Sequence, residues 1–187
     1  MRMSGLLCVA AQAAIACGLL MLCPSCAASP PNVPAVSTRP TTIILVRHGE
    51  RDSGFNPPLN EAGLARAQAL LEALDESRLT AIYAPELLRT MQTAQPIAEH
   101  LGLEIQRIGL LRLAAPETLA KELLAEILER HAGGVVLYVG NDSNLEALYY
   151  HLGGTGQPPV RHQDIYTAVI GEDGEVHFIK GSYGKTK

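Results

Sequence analysis

The sequence predicts an α/β fold, a three-layer α/β/α sandwich around a mostly parallel central sheet. Three observations carry this. Two segments, Thr42–Val46 and Val135–Val139, are unbroken apolar, β-branched runs without period-two alternation, as expected of strands covered on both faces. Between the short apolar runs lie amphipathic stretches of helical period, so strands and helices alternate. Both fully apolar runs end in polar clusters, Arg47-His48-Gly49 and Gly140-Asn141-Asp142-Ser143, and ligands of such sheets bind beyond the strands' carboxyl ends.

Taken in order, Thr42–Val46 is the first strand. Asn60 caps a helix reaching about Glu76, with Leu64, Ala67, Leu71 and Leu74 on its apolar face. Ala81–Ala84 is a short strand, and Pro85 opens a helix that runs to about His100 and stops at Gly102. Leu103–Ile108 is a strand. Thr118–His131 is an amphipathic helix (Leu119, Leu123, Ile127) ended by Gly133-Gly134. After Val135–Val139, Ser143 with Glu146 three residues on forms a capping box for a helix through Leu152. Tyr166–Ile170 and Val176–Lys180, joined by Gly-Glu-Asp-Gly, close the chain as a hairpin, adding one antiparallel strand at the sheet edge. No internal repeat is visible.

The first forty residues differ in kind. Met1-Arg-Met is a short positive start, Leu6 to Cys23 is largely apolar, and the small residues Ser25-Cys-Ala-Ala28 fit signal-peptidase cleavage at Ala27 or Ala28. Residues 1–28 are therefore expected to be a signal peptide, making the protein exported, periplasmic or secreted. An uncleaved membrane anchor is the competing reading, because the apolar run is just long enough to span a bilayer. Ala14-Ile-Ala-Cys17 also loosely resembles a lipobox. Either alternative would confine membrane contact to the N-terminal segment. Residues 29–41, with Pro30, Pro31, Pro34 and Pro40, are a Pro-rich linker, and 42–187 form a single domain.

Charge and cysteine usage narrow the chemistry. Beyond residue 40 there are thirteen basic and nineteen acidic side chains, a net of −6, which argues against nucleic acid as the partner. All four cysteines, Cys8, Cys17, Cys23 and Cys26, lie in the first 26 residues, so the domain has neither a disulfide nor a thiolate metal site. No other metal-ligand spacing is present: His100, His131, His151, His162 and His177 match no pattern such as HExxH. His100 and His131 suit the last turns of helices, and His162, in a loop before the last hairpin, is expected at the surface, with a place in the pocket lining as the alternative. Gly153-Gly-Thr-Gly156 lacks the lysine and the strand-to-helix setting of a phosphate loop.

A strand ending in Arg47-His48-Gly49 suits a phosphoryl group, with His48 as nucleophile and Arg47 as anion clamp. The tripeptide resembles the signature of the histidine phosphatase, or phosphoglycerate mutase-like, superfamily. Arg89-Thr-Met-Gln-Thr-Ala94 resembles that family's R-T-x-x-T-A helix, whose arginine clamps the phosphoryl group; without the resemblance, Arg89 would be a solvated helix charge. The likeness covers nearly everything from Thr42 to Lys180. It implies in-line attack by His48 on a phosphomonoester, a phosphohistidine whose oxygens Arg47 and Arg89 neutralise, and release by water. No cofactor is implied.

The chain departs from the family at Val139-Gly-Asn-Asp-Ser-Asn-Leu145, where Asn141 stands in place of the second catalytic histidine. An amide still donates but carries no charge, and loss of one preorganised charged donor costs about 10²–10³ in rate. The same stretch resembles the Gly-His-Asp-Thr-Asn-Leu of acid phosphatases and phytases, whose aspartate protonates the leaving oxygen. Asp142 is thus a candidate general acid, or a plain helix-capping residue; Glu117 and Glu50 are the other acid candidates. Asn141 and Ser143, at the start of the helix, complete the expected phosphate contacts. Asn141-Asp-Ser143 is formally a glycosylation sequon in an improbable place.

Phosphomonoester hydrolysis is the reading favoured by these residues, and a catalytically impaired phosphate-binding pseudophosphatase is the alternative, argued from Asn141. A nucleotide-binding module is disfavoured, since no glycine-rich phosphate loop follows Val46, and the short stretch from Arg89 to Thr118 disfavours a mutase. The expected partner is a phosphorylated small molecule, an envelope glycan phosphate or a phosphoprotein.

Overall fold

The protein, represented by a computed structural model, is described for residues 39–184. The expected signal segment 1–28 and most of the linker lie outside them; Thr41 already belongs to the first strand, not to the linker.

The elements run β1 (Thr41–Arg47), α1 (Glu61–Leu74), β2 (Ala81–Pro85), α2 (Leu88–Leu101), β3 (Ile105–Ile108), a 3₁₀ turn (Leu110–Ala114), α3 (Pro116–Arg130), β4 (Val135–Gly140), α4 (Asp142–His151), β5 (Asp164–Ile170) and β6 (Val176–Ser182). They form one six-stranded sheet in the order β3-β2-β4-β1-β5-β6. One apolar cluster fills the space between one sheet face and α3 and α4, around Leu123, Tyr138 and Leu148. A second joins the other face to α1 and α2, around Leu70, Ile97 and Leu137. The three-layer α/β/α architecture is the one expected from the alternation of elements.

Four strands, β1, β2, β3 and β4, pair in parallel, and β5 runs antiparallel to both β1 and β6. The strand that opposes the others is therefore the inner member of the hairpin, and the edge strand β6 again points with β1. The expectation of an antiparallel edge strand placed the reversal one strand too far out.

Local differences have local causes. On α1 the inward face is Ala67, Leu70 and Leu74, whereas Leu64 is 54% exposed. The helix is turned because Arg66 also points inward, to a carboxylate described below. Pro85 closes β2 instead of opening α2: it pairs with Ile108, and Glu86 N–H donates to the Ile108 carbonyl. Proline's fixed φ is as compatible with a strand end as with a helix start. α3 begins two residues earlier than expected, with Pro116 in its first turn, while α2 stops at left-handed Gly102 and α1 is capped by the Asn60 side chain, as the sequence suggests.

α4 is not capped by Ser143. Its N-cap is Asn141, whose side chain makes no capping bond, and Ser143 lies inside the first turn. The strand β4 ends one residue later than the apolar run suggests, so the helix follows immediately.

Candidate active site

Register brings the two polar clusters together. Arg47 at the end of β1 pairs with Gly140 at the end of β4, and His48 N–H donates to the Gly140 carbonyl at 3.1 Å. His48 and the Asn141 cap of α4 therefore sit side by side at the carboxyl edge of the sheet.

His48 is 2% exposed, and its ring is held at both nitrogens. Nδ1–H donates to the Gly49 carbonyl at 2.8 Å, which leaves the lone pair on Nε2, and the Arg89 Nε–H donates to that nitrogen at 3.1 Å. Burial lowers the His48 pKa to about 4, helped by Arg89, Arg47 and His162 and opposed by the bond to Gly49. The imidazole is thus neutral at physiological pH, with its free electron pair beside a guanidinium.

That shift has a sign. Between pH 6.5, the ordinary value, and about 4, the unfolded chain takes up a proton that the folded chain refuses. His48 therefore withdraws stability as pH falls through this window, by on the order of 3 kcal/mol once below it, and costs nothing above it. The denaturant midpoint of wild type should drop more between pH 7 and pH 4.5 than that of His48→Gln; parallel curves would refute the buried neutral state.

The arginines converge from different elements. Arg47 places Nε 2.6 Å from Asp142 Oδ1, although the angle is poor for a hydrogen bond, and donates from Nη1 to the Val160 carbonyl at 2.7 Å. Arg89, in the first turn of α2, has a buried Nη1 with no partner among the described residues. Burial lowers the pKa of both guanidiniums. Asn141 likewise keeps a buried Oδ1 without a partner.

The turn after His48 is shaped by two glycines. A Cβ on Gly49 would lie 2.7 Å from the Gly63 carbonyl oxygen, and one on Gly63 would lie 2.1 Å from the Glu50 carbonyl oxygen. The start of α1 is thus packed against the backbone of the Arg-His-Gly turn, an approach only glycine permits. Gly49 serves this contact as well as the turn itself.

Of the three acid candidates, the structure brings only Asp142 to the arginines. Glu50 is engaged by Arg66, whose Nη2 donates to Oε1 at 2.6 Å and whose Nη1 reaches the Tyr183 carbonyl. Burial alone would raise the Glu50 pKa, but the bonds and charge of Arg66 outweigh it and hold it low. A carboxylate so held is a brace, not a proton donor. Glu117 is exposed and lines a cleft of about 370 Å³ between the starts of α3 and α4 with Ser143, Glu146 and Tyr150. His48, Arg47 and Arg89 are not part of that lining. Sequence alone could not separate Ser143 and Glu117 from Asn141 and Asp142, because the direction of a residue in a first helical turn depends on where the helix starts.

His162 lies in the turn before β5 but is half-buried and reaches His48, the alternative to a surface position. Its Nδ1–H donates to the His48 carbonyl at 2.6 Å, and the two rings lie 5.5 Å apart. Arg66 and Gly63 are further residues of the site that the sequence did not single out, and Thr93 stood in the R-T-x-x-T-A stretch without a role assigned to it. Gly63 left a signal, since a glycine in the first turn of an amphipathic helix is costly without a packing reason.

Residues 43–112 match the histidine phosphatase superfamily, branch 1. That match covers the first part of the domain, and the fold as a whole is that of phosphoglycerate mutase-like structures. A curated relative, the 8-oxo-(d)GTP phosphatase of Mycolicibacterium smegmatis, is 33% identical over 109 residues; these cover 53% of this chain and 34% of the relative. The chain thus spans about a third of that protein's length. Among solved structures, a mycobacterial glucosyl-3-phosphoglycerate phosphatase in complex with inorganic phosphate superposes with a TM-score of 0.62 at 16% identity, over 78% of this chain and 97% of that one. Bacillus stearothermophilus YhfR gives 0.60 at 22% identity, over 73% and 94%. These two likenesses are of fold.

Proposed function

We propose that the domain hydrolyses phosphomonoesters through a phosphohistidine on His48. The observation that carries this is the neutral imidazole whose Nδ1–H is spent on the Gly49 carbonyl, so that Nε2 faces the Arg89 guanidinium at 3.1 Å. A phosphoryl group approaching in line with Nε2 displaces that contact and draws Arg89 onto its oxygens, with Arg47 beside it. Nε2 attacks phosphorus, the ester P–O bond breaks, and the leaving oxygen takes the proton of the Asp142 carboxyl. The phosphate dianion competes with Asp142 for Arg47, which releases the carboxyl group from its partner toward the leaving oxygen. Water then attacks phosphorus in line with Nε2 and gives a proton to the Asp142 carboxylate; the P–N bond breaks, its electron pair returns to Nε2, and phosphate departs.

The second reading, a phosphate binder without turnover, is favoured by Asn141, a neutral side chain where the resemblance calls for a histidine. Turnover over a panel of aryl and alkyl phosphomonoesters, with mass-spectrometric trapping of phosphohistidine at His48, separates the two. No turnover and no trapped adduct, with phosphate still bound, would leave the binder. In either case Arg89→Ala should weaken phosphate or vanadate affinity by about tenfold or more, since it removes a charge-assisted contact; equal affinity by titration calorimetry would remove Arg89 from the pocket. The proposal extends to a phosphorylated small molecule, envelope glycan or phosphoprotein as substrate, met outside the cytoplasm if residues 1–28 are a signal segment.

A further inference from the structure

The residue that carries the tautomer-setting carbonyl of the nucleophile is a glycine. Gly49 has no Cβ because Gly63 packs against it, and a glycine backbone left to itself turns freely. The Gly49 carbonyl must nevertheless stay aimed at His48 Nδ1, or the lone pair leaves Nε2. The structure holds the peptide unit between residues 48 and 49 at both of its polar atoms. Its N–H, on Gly49, donates to Thr93 Oγ1 at 2.9 Å, and Thr93 is itself fixed by donating to the Arg89 carbonyl at 2.7 Å. Its carbonyl, on His48, accepts from His162 Nδ1 at 2.6 Å.

His162 is presented for this by a turn that is tied to itself and to the sheet. The fully buried Asp164 accepts from Arg161 N–H at 3.0 Å and pairs with the Arg161 guanidinium, Asp164 N–H donates back to the Arg161 carbonyl, and Tyr183 N–H donates to the Gln163 carbonyl. The same loop receives Arg47 at the Val160 carbonyl. One loop thus grips both the anion clamp and the nucleophile's backbone.

We infer that His162 is a positioning residue for His48: its Nδ1–H locks the 48–49 peptide plane against the Thr93 anchor, so that the Gly49 carbonyl keeps the nucleophilic lone pair on Nε2. This rests on His48 being the nucleophile, and the test is arranged so that the two ideas fail separately. His162→Asn retains an N–H donor near the Nδ1 position, whereas His162→Gln carries its donor near Nε2, and His162→Ala has none. The full chain is assayed with p-nitrophenyl phosphate, and the His48 tautomer is read by ¹⁵N NMR without phosphate. For His162→Ala and His162→Gln, kcat should fall by about tenfold, the scale of one lost hydrogen bond, with KM changed by less than about twofold. His162→Asn should recover most of kcat. The His48 Nδ1–H signature should persist in wild type and His162→Asn and give way to mixed tautomers in the other two.

Wild-type kcat in His162→Ala, or equal losses in the Asn and Gln variants, overturns the inference. If wild type turns nothing over, the proposed function fails instead, and the NMR signature alone decides the clamp. If His162→Ala does not fold, the contrast between Asn and Gln decides it.

Discussion

His48→Ala is expected to lower turnover by on the order of 10⁴-fold or to background, the largest effect of any single substitution in this domain. The reasoning is chemical. On the proposed function, Arg47, Arg89 and the start of α4 still gather a phosphate dianion, but no other group among those named at the crevice offers a lone pair in line with the ester. Binding of phosphate should be kept within a few fold, because His48 is neutral and contributes little charge to the complex. A variant that retains a tenth of wild-type turnover would show that water attacks directly and that no phosphohistidine is needed. Loss of phosphate binding together with activity would instead point to collapse of the turn that Gly49 and Gly63 hold.

The second large effect runs upward. Asn141→His is expected to raise kcat by about 10- to 10²-fold, somewhat less than a preorganised charged donor is worth where it evolved. The position is favourable: Asn141 follows Gly140, which is in register with Arg47, and its side chain is not consumed as a helix cap. An imidazole introduced there lies among guanidiniums, which disfavour its protonation until a phosphate dianion is bound. The gain should therefore be larger at pH 6 than at pH 8, measured as the ratio of kcat for variant and wild type. A ratio at or below one at both values would mean that the amide already supplies what the chemistry uses, or that the crevice performs no chemistry to improve.

How the sequence revealed this site depended on the range of the interactions. The apolar runs Thr42–Val46 and Val135–Val139 declare covered strands because their residues leave no face for water, and Asn60 and Gly102 mark helix ends by bonds and dihedrals confined to a few neighbouring residues. Arg47, His48 and Arg89 were visible as residue types at strand and helix ends. What failed was what depends on a rotation or a one-residue offset. The periodicity points Leu64 inward, but Arg66 takes that side of the helix to reach Glu50. Ser143 with a glutamate three residues on is a local capping signal, overridden because β4 runs one residue further and α4 starts directly after it.

The sequence by itself determined the layered α/β class, the two strand ends that carry polar clusters, and the residue types that the proposed function uses, since each follows from local periodicity and side-chain chemistry. Only the tertiary structure decided which of three acids stands with the arginines, that Glu50 is bound to Arg66, and that His162, 114 residues from His48, holds its carbonyl. The physical reason is that a hydrogen bond depends on position and angle within a fraction of an ångström, and those are set by packing between distant segments that leaves no periodic trace in the chain.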